Sequence, residues 1–129
     1  MTEQVATIMR KGILTLDAKM PIRQAAGLLH ASGQEAAPVV DASGSLIGVI
    51  TPKDCFRPAL QASYYRQWHG TVGDQMSSPV KTIDAGTDLV TAALMFLSEP
   101  HRAFPVVNGG RLVGVLNRGD LLGALLQLG

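Results

Sequence analysis

Residues 36–54 read AAPVVDASGSLIGVITPKD, and residues 103–120 read AFPVVNGGRLVGVLNRGD. Both stretches hold two apolar runs rich in β-branched residues, with a glycine-containing turn between them. Both end in a polar residue followed three places later by aspartate: Thr51 and Asp54, then Asn117 and Asp120. Two such runs around a short polar turn predict a hairpin. The runs are nearly continuous rather than alternating, so both sheet faces are expected to be covered.

The likeness extends outward from the hairpins. Met9 aligns with Met76 at an offset of 67. That offset holds through Thr15/Thr82, Asp17/Asp84, Ala25/Ala92, Ala36/Ala103 and Pro38/Pro105 to Val40/Val107. The second turn is one residue shorter, and the offset is 66 through Leu46/Leu112, Gly48/Gly114 and Asp54/Asp120. One gap over so long a span marks a duplication. We delimit the copies as residues 1–62 and 73–129, with 63–72 as linker.

Each copy predicts the same order of elements. Segments 13–16 and 80–83 are strand-like. A helix over residues 21–32 follows, with Ile22, Ala25, Ala26 and Leu29 at i, i+3, i+4 and i+7. Leu89, Ala92, Ala93 and Phe96 repeat the spacing. Pro21 suits the first helical turn, and Gly33 a left-handed end. Thr87 reads as the N-cap of the second helix, with Asp88 in its first turn. Pro100 stops that helix. Strands are expected over 36–40 and 46–51, then over 103–107 and 111–116. A last helix starts after Thr51 or Asn117, and Pro58 limits the first of these. The final one carries Leu121, Leu122, Leu125, Leu126 and Leu128, which core packing or a dimer face would explain. Tyr64, Tyr65 and Trp68 lie between the copies and are expected to pack over their join, with ligand stacking as the sharper alternative.

Composition narrows the function. The 129 residues carry 11 Lys+Arg against 10 Asp+Glu, a net charge of +1, so no long-range field favours nucleic acid. Charged residues are only 16% of the chain, which a buried subunit interface would explain. Cys55 is the single cysteine and staples nothing, which suits a reducing, cytoplasmic setting. No apolar run reaches the roughly 18 residues of a membrane span, and the N-terminus does not read as a secretory signal.

Catalytic signals are weak. His30, His69 and His101 lack metal-ligand spacing. Cys55 aligns with Leu121, so packing is the better reading than nucleophile. Phosphate-loop and nucleophile-elbow signatures are absent. We expect no enzyme, no metal and no obligatory cofactor. The informative groups are Thr51 with Asp54 and Asn117 with Asp120. In one reading they are helix caps. In the other, the helix start offers N–H groups to phosphate while the carboxylate accepts both ribose hydroxyls. The two readings are compatible. His101 and Arg102 stand at the mouth of a strand, where a guanidinium can fork onto phosphate or simply be solvated.

These features resemble the cystathionine-beta-synthase (CBS) domain family, whose tandem pair is called a Bateman module. The resemblance rests on the Pro-Val-Val strands, the Leu-Ile-Gly-Val-Ile-Thr-Pro-Lys-Asp and Leu-Val-Gly-Val-Leu-Asn-Arg-Gly-Asp strand ends, and the Ala-Ala helices, and it covers nearly the whole chain. It implies an α+β fold of two pseudo-symmetric β-α-β-β-α repeats packed through their sheets, commonly as a homodimer. It implies ribose and phosphate contacts at Thr51 with Asp54 and at Asn117 with Asp120. It implies that Asp54 shares a site with Val80, Thr82 and Pro105, and Asp120 one with Ile13, Thr15 and Pro38. His101-Arg102 looks like a pair that reads phosphates in the gamma subunits of the energy-sensing kinase. Two departures stand out. Asn117 replaces the usual hydroxyl, and Glu35 occupies the position equivalent to Arg102, where it would repel phosphate. The resemblance therefore implies one preferred site, built on Thr51, Asp54, His101 and Arg102. The expected function is a stand-alone module that senses AMP, ADP or ATP in the inter-repeat cleft and signals to a separate effector protein, away from membranes. The alternative is a structural dimer with no small-molecule ligand.

Overall fold

The computed structural model describes residues 3–128. Contacts divide the chain into two units. One is Leu14–Val80; the other joins the described residues up to Ile13 with those from Lys81 onward. These boundaries run differently from the sequence repeats at 1–62 and 73–129, because the N-terminal segment folds with the second copy.

In the unit Leu14–Val80, β1 (Leu16–Asp17) pairs parallel with β2 (Ala37–Val40), which pairs antiparallel with β3 (Leu46–Ile50). A parallel pair needs a crossover, and α1 (Ile22–Ser32) supplies it. Its buried side chains are Ile22, Ala25 and Leu29, three positions of the expected apolar stripe. Gly33 ends it at φ 70°, a left-handed conformation that costs glycine least. A 3-10 turn, Pro52–Cys55, leads from β3 into α2 (Phe56–Tyr65), and the four-residue α3 (Val72–Gln75) follows. Leu16, Ile22, Leu29, Val39, Ile50 and Val72 form the centre of this unit's core.

The other unit repeats the plan. β4 (Ile83–Asp84) pairs parallel with β5 (Ala103–Asn108), and β5 antiparallel with β6 (Arg111–Asn117). The crossover helix is α4 (Leu89–Ser98), and α5 (Arg118–Leu126) follows β6. A 3-10 turn at Val5–Thr7 joins this unit. Val5 is fully buried in its core, and the Val5 and Ala6 N–H groups donate to Thr87 and Ala85 carbonyls at 2.8 and 3.0 Å.

Several sequence expectations need correction. The first strand of each copy is later and shorter than 13–16 and 80–83: parallel pairing joins only Leu16–Asp17 to Val39–Val40, and Ile83–Asp84 to Val106–Val107. Upstream, the Leu14 N–H donates to the Gln34 side chain instead of a ladder. Asp88, not Thr87, caps α4, its carboxylate accepting the Thr91 N–H at 2.7 Å. Pro58 does not limit α2. It lies in the first turn, where its missing N–H would have had no helical partner, and the helix runs on to Tyr65. Tyr64 and Tyr65 are exposed and stack edge to face on each other, while Trp68 packs against its own unit's core. Leu121 is buried but Leu122, Leu126 and Leu128 are exposed, so the leucines of the last helix divide between core and surface.

In each unit a segment outside the sheet is bridged to the hairpin. The Arg10 and Val115 backbones exchange both hydrogen bonds at 2.8 and 3.0 Å, and so do Ser77 and Val49 at 3.0 and 3.2 Å. The glycine beside each bridge makes the approach possible. A Cβ on Gly114 would lie 2.6 Å from the Arg10 carbonyl oxygen, whereas one on Gly48 would strike the Met76 side chain, its nearest neighbour. Backbone cannot yield as a thioether can. Gly114→Ala is therefore expected to cost about 2 kcal/mol in urea unfolding, and Gly48→Ala clearly less. Equal losses would refute the argument.

Candidate functional site

The end of β3 sets the first group. Thr51 is extended and precedes the 3-10 turn, so its side chain and backbone face the free N–H groups of that turn. The Asp54 carboxylate turns back and accepts the Thr51 N–H at 2.8 Å and the Thr51 hydroxyl at 3.1 Å, both on Oδ2. The cap reading of this motif is thus realised, and it fixes the carboxylate at the junction. The same cap occurs at Thr71 and Asp74, where Asp74 accepts the Thr71 N–H at 2.9 Å. That second Thr-x-x-Asp was overlooked in reading the sequence. It shows that a Thr-x-x-Asp motif can be a cap and nothing else.

The equivalent group at the end of β6 is built differently. Asn117 is the N-cap residue and makes no side-chain cap bond to the helix backbone. Asp120 is engaged by Arg10: Nε donates to Oδ2 at 2.8 Å and Nη2 to Oδ1 at 3.2 Å. This fork holds the Asp120 carboxyl below its ordinary range. The Arg10 hydrogen bond lowers it most, burial opposes, and the Arg10 charge and the Asn117 amide add to the lowering. The same hydrogen bond raises the Arg10 guanidinium. Arg10 went unnoticed in the sequence, although the 67-residue offset pairs it with Ser77 and so marks the two copies as unlike.

The strand mouths differ as well. Before β5, His101 stacks on Phe104, with centroids 4.8 Å apart and planes at 19°. Its Nδ1 is shielded from solvent, has no hydrogen-bond partner among the described residues, and lies 3.9 Å from Glu99. Lys81 pairs with Glu99 and holds that carboxyl below its usual range. Arg102 is exposed, and its carbonyl accepts the Arg118 N–H at 2.8 Å, which sets its backbone beside the first turn of α5. In the first copy Gln34 stands where His101 does. Its amide accepts from the Leu14 N–H at 2.6 Å and donates to the Leu14 and Ala36 carbonyls at 3.3 and 3.0 Å. That mouth is closed by structural hydrogen bonds, and Glu35 follows it.

The other expected site residues divide by unit. Thr15, Pro38 and Val80 lie with Thr51 and Asp54; Ile13, Thr82, His101, Arg102 and Pro105 lie with Asn117 and Asp120. Pro38 and Pro105 are buried at matching positions, opposite Val49 and Val115 in their hairpins. Thr15 is exposed, while Ile13, Val80 and Thr82 are half-buried. Cys55 packs in the core, and burial pushes its thiol up, with the Asp54 charge adding to the effect, so it is a poor nucleophile. Among the described residues, no cluster of three or more His, Cys, Asp or Glu is placed to hold a metal, and no helix is long and apolar enough to cross a membrane.

Comparison with known proteins finds the CBS domain twice, over residues 5–59 and 71–127. A CBS domain-containing protein of Dictyostelium discoideum is 28% identical over 135 residues, covering 96% of this chain and 92% of its own. An uncharacterized protein of Methanocaldococcus jannaschii is 28% identical over 93% of this chain, which spans 42% of that protein's length. Among solved structures, CBSX2 in complex with AMP superposes with a TM-score of 0.83 at 28% identity, over 97% of each chain. A second crystal structure of CBSX2, from Arabidopsis thaliana, superposes with a TM-score of 0.84 at 27% identity.

Proposed function

The chain belongs to the CBS domain family, and from that premise we propose that it is a regulatory module that binds an adenosine-containing ligand, with AMP, ADP or ATP the first candidates. The observation that carries this reading is the likeness, over 97% of both chains, to a CBS-pair protein solved with AMP. The chemistry of the residues supports it. Asp54 is a carboxylate fixed by its Thr51 bonds, suited to accept from two vicinal hydroxyls. Arg102 supplies a guanidinium for phosphate, beside an aromatic-stacked His101. Asn117 and Asp120 form the second carboxylate group, which binds more weakly.

A regulatory ligand acts only by preferring one state of the protein, so the output is a change in self-association or in contact with a separate effector. Exposed Val90, Leu94 and Leu97 on α4 and Leu122 and Leu126 on α5 support a homodimer, since apolar side chains gain by leaving water. Calorimetric titration of the purified protein with AMP, ADP, ATP and S-adenosylmethionine tests the reading. We expect at least one of the first three to bind with micromolar affinity and to raise the melting temperature. Absence of binding across the panel would favour the structural dimer.

A further inference from the structure

We propose that Arg10 is an intramolecular latch on Asp120, which a ribose must displace, and that this latch makes the two carboxylate groups of the chain unequal. The inference rests on reading Asp120 as a ribose-holding group. Its own content lies in the contact between Arg10 and Asp120, within one unit.

The latch is built from the backbone outward. Arg10 is held by paired hydrogen bonds to Val115, and Gly114 lacks the Cβ that would strike its carbonyl oxygen. The side chain therefore starts from a fixed point five residues before Asp120 along the same strand and helix. From there it forks onto both carboxylate oxygens, at 2.8 and 3.2 Å. Those are the acceptors that two ribose hydroxyls would need. A diol and a guanidinium compete for one carboxylate, and the guanidinium is covalently present at high effective concentration.

The unit Leu14–Val80 shows the unlatched form of the same device. Ser77 makes the equivalent backbone bridge to Val49, five residues before Asp54. Its side chain is too short to bridge that span. Asp54 is instead satisfied by Thr51 through Oδ2 alone. One backbone arrangement thus carries either a latch or no latch, according to one residue. The Arg10 side chain is 62% exposed, so solvent weakens the pair and a ligand can displace it.

Exchanging the two residues tests the proposal. AMP is titrated calorimetrically into wild type, Arg10→Ser, Ser77→Arg and Arg10→Ser/Asp120→Ala. We expect Arg10→Ser to tighten the weaker site about two- to fivefold and the double variant to lose that gain. Ser77→Arg should weaken the stronger site by a similar factor. Carbon-13 NMR of the Asp120 carboxyl supplies a readout independent of ligand: it should titrate at higher pH in Arg10→Ser than in wild type, in protein whose melting is cooperative. An unchanged Asp120 titration overturns the latch itself. Weaker or unaltered AMP binding by Arg10→Ser, with Asp54-dependent binding intact, overturns the gating role while the proposed function stands. If no variant binds AMP or another adenine nucleotide, both readings fall together.

Discussion

Phe104→Ala is expected to lower the unfolding free energy by about 3–5 kcal/mol, measured by urea denaturation. Phe104 has no exposed surface and sits on β5 at the centre of its unit's core. Its ring meets Phe96 of α4 at 4.7 Å, tilted by 55°, and supports the His101 ring on its other contact. Truncation removes the burial of the ring, leaves a cavity between strand and helix, and forfeits the aromatic pairs. The first copy has Ala37 and Leu29 at the positions of Phe104 and Phe96, so the two cores solve the same packing problem with different side chains. Alanine is native at one and a cavity at the other. Leu97→Ala is the control. Leu97 is apolar but 83% exposed, and its loss should fall within about 0.5 kcal/mol. The His101 ring protons should also shift when the Phe104 face is removed. A Phe104→Ala loss no larger than that of Leu97→Ala would mean that the aromatic cluster does not hold this unit together.

Much of this architecture was legible because duplication supplies an internal comparison. Two copies of a strand, turn, strand and aspartate fix the hairpins, and α1 follows from the apolar stripe at Ile22, Ala25 and Leu29. What escaped reading was set by partners distant in sequence. The first strands begin later than 13 and 80 because local β-propensity does not say where pairing with a strand distant in sequence begins. Asp88 displaced Thr87 as cap because either residue satisfies the local rule, and the choice depends on where Leu89 turns into the core. Val5 precedes every strand and helix expected from the sequence, yet it is wholly buried in the core of the unit that continues from Lys81. For the same reason the Arg10–Asp120 fork, 110 residues apart in sequence, was invisible from either motif alone. The mismatches between copies, Arg10 with Ser77 and Gln34 with His101, were the available signal. A duplicated scaffold keeps what folding requires, so positions that differ while their backbones stay alike are where the copies can diverge in chemistry.

Asp54→Ala is expected to weaken adenine-nucleotide binding by about 100-fold in calorimetric titration. The carboxylate is the group proposed to accept two ribose hydroxyls, and hydrogen bonds to a charged group are each worth about 1.5–3 kcal/mol when lost. The same substitution removes the cap on the 3-10 turn, which by itself costs about 1 kcal/mol of stability. Loss of binding alone would therefore not separate a ligand role from a weakened fold. Asp74→Ala provides the separation, because Asp74 makes the same N–H bond to Thr71 and lies in the same unit. It should cost similar stability and leave affinity unchanged. Asp54→Glu refines the test from the other side. Glutamate keeps the charge and is the usual acid of a capping box, so the fold should tolerate it. Its extra methylene moves the carboxylate by more than a hydrogen bond can absorb, so binding should still fall steeply. If Asp54→Glu bound as well as wild type, or if Asp74→Ala lost binding in step with Asp54→Ala, the carboxylate would be a cap and nothing more. The Thr51 junction would then be part of the scaffold, and a ligand site would have to be sought elsewhere on the chain.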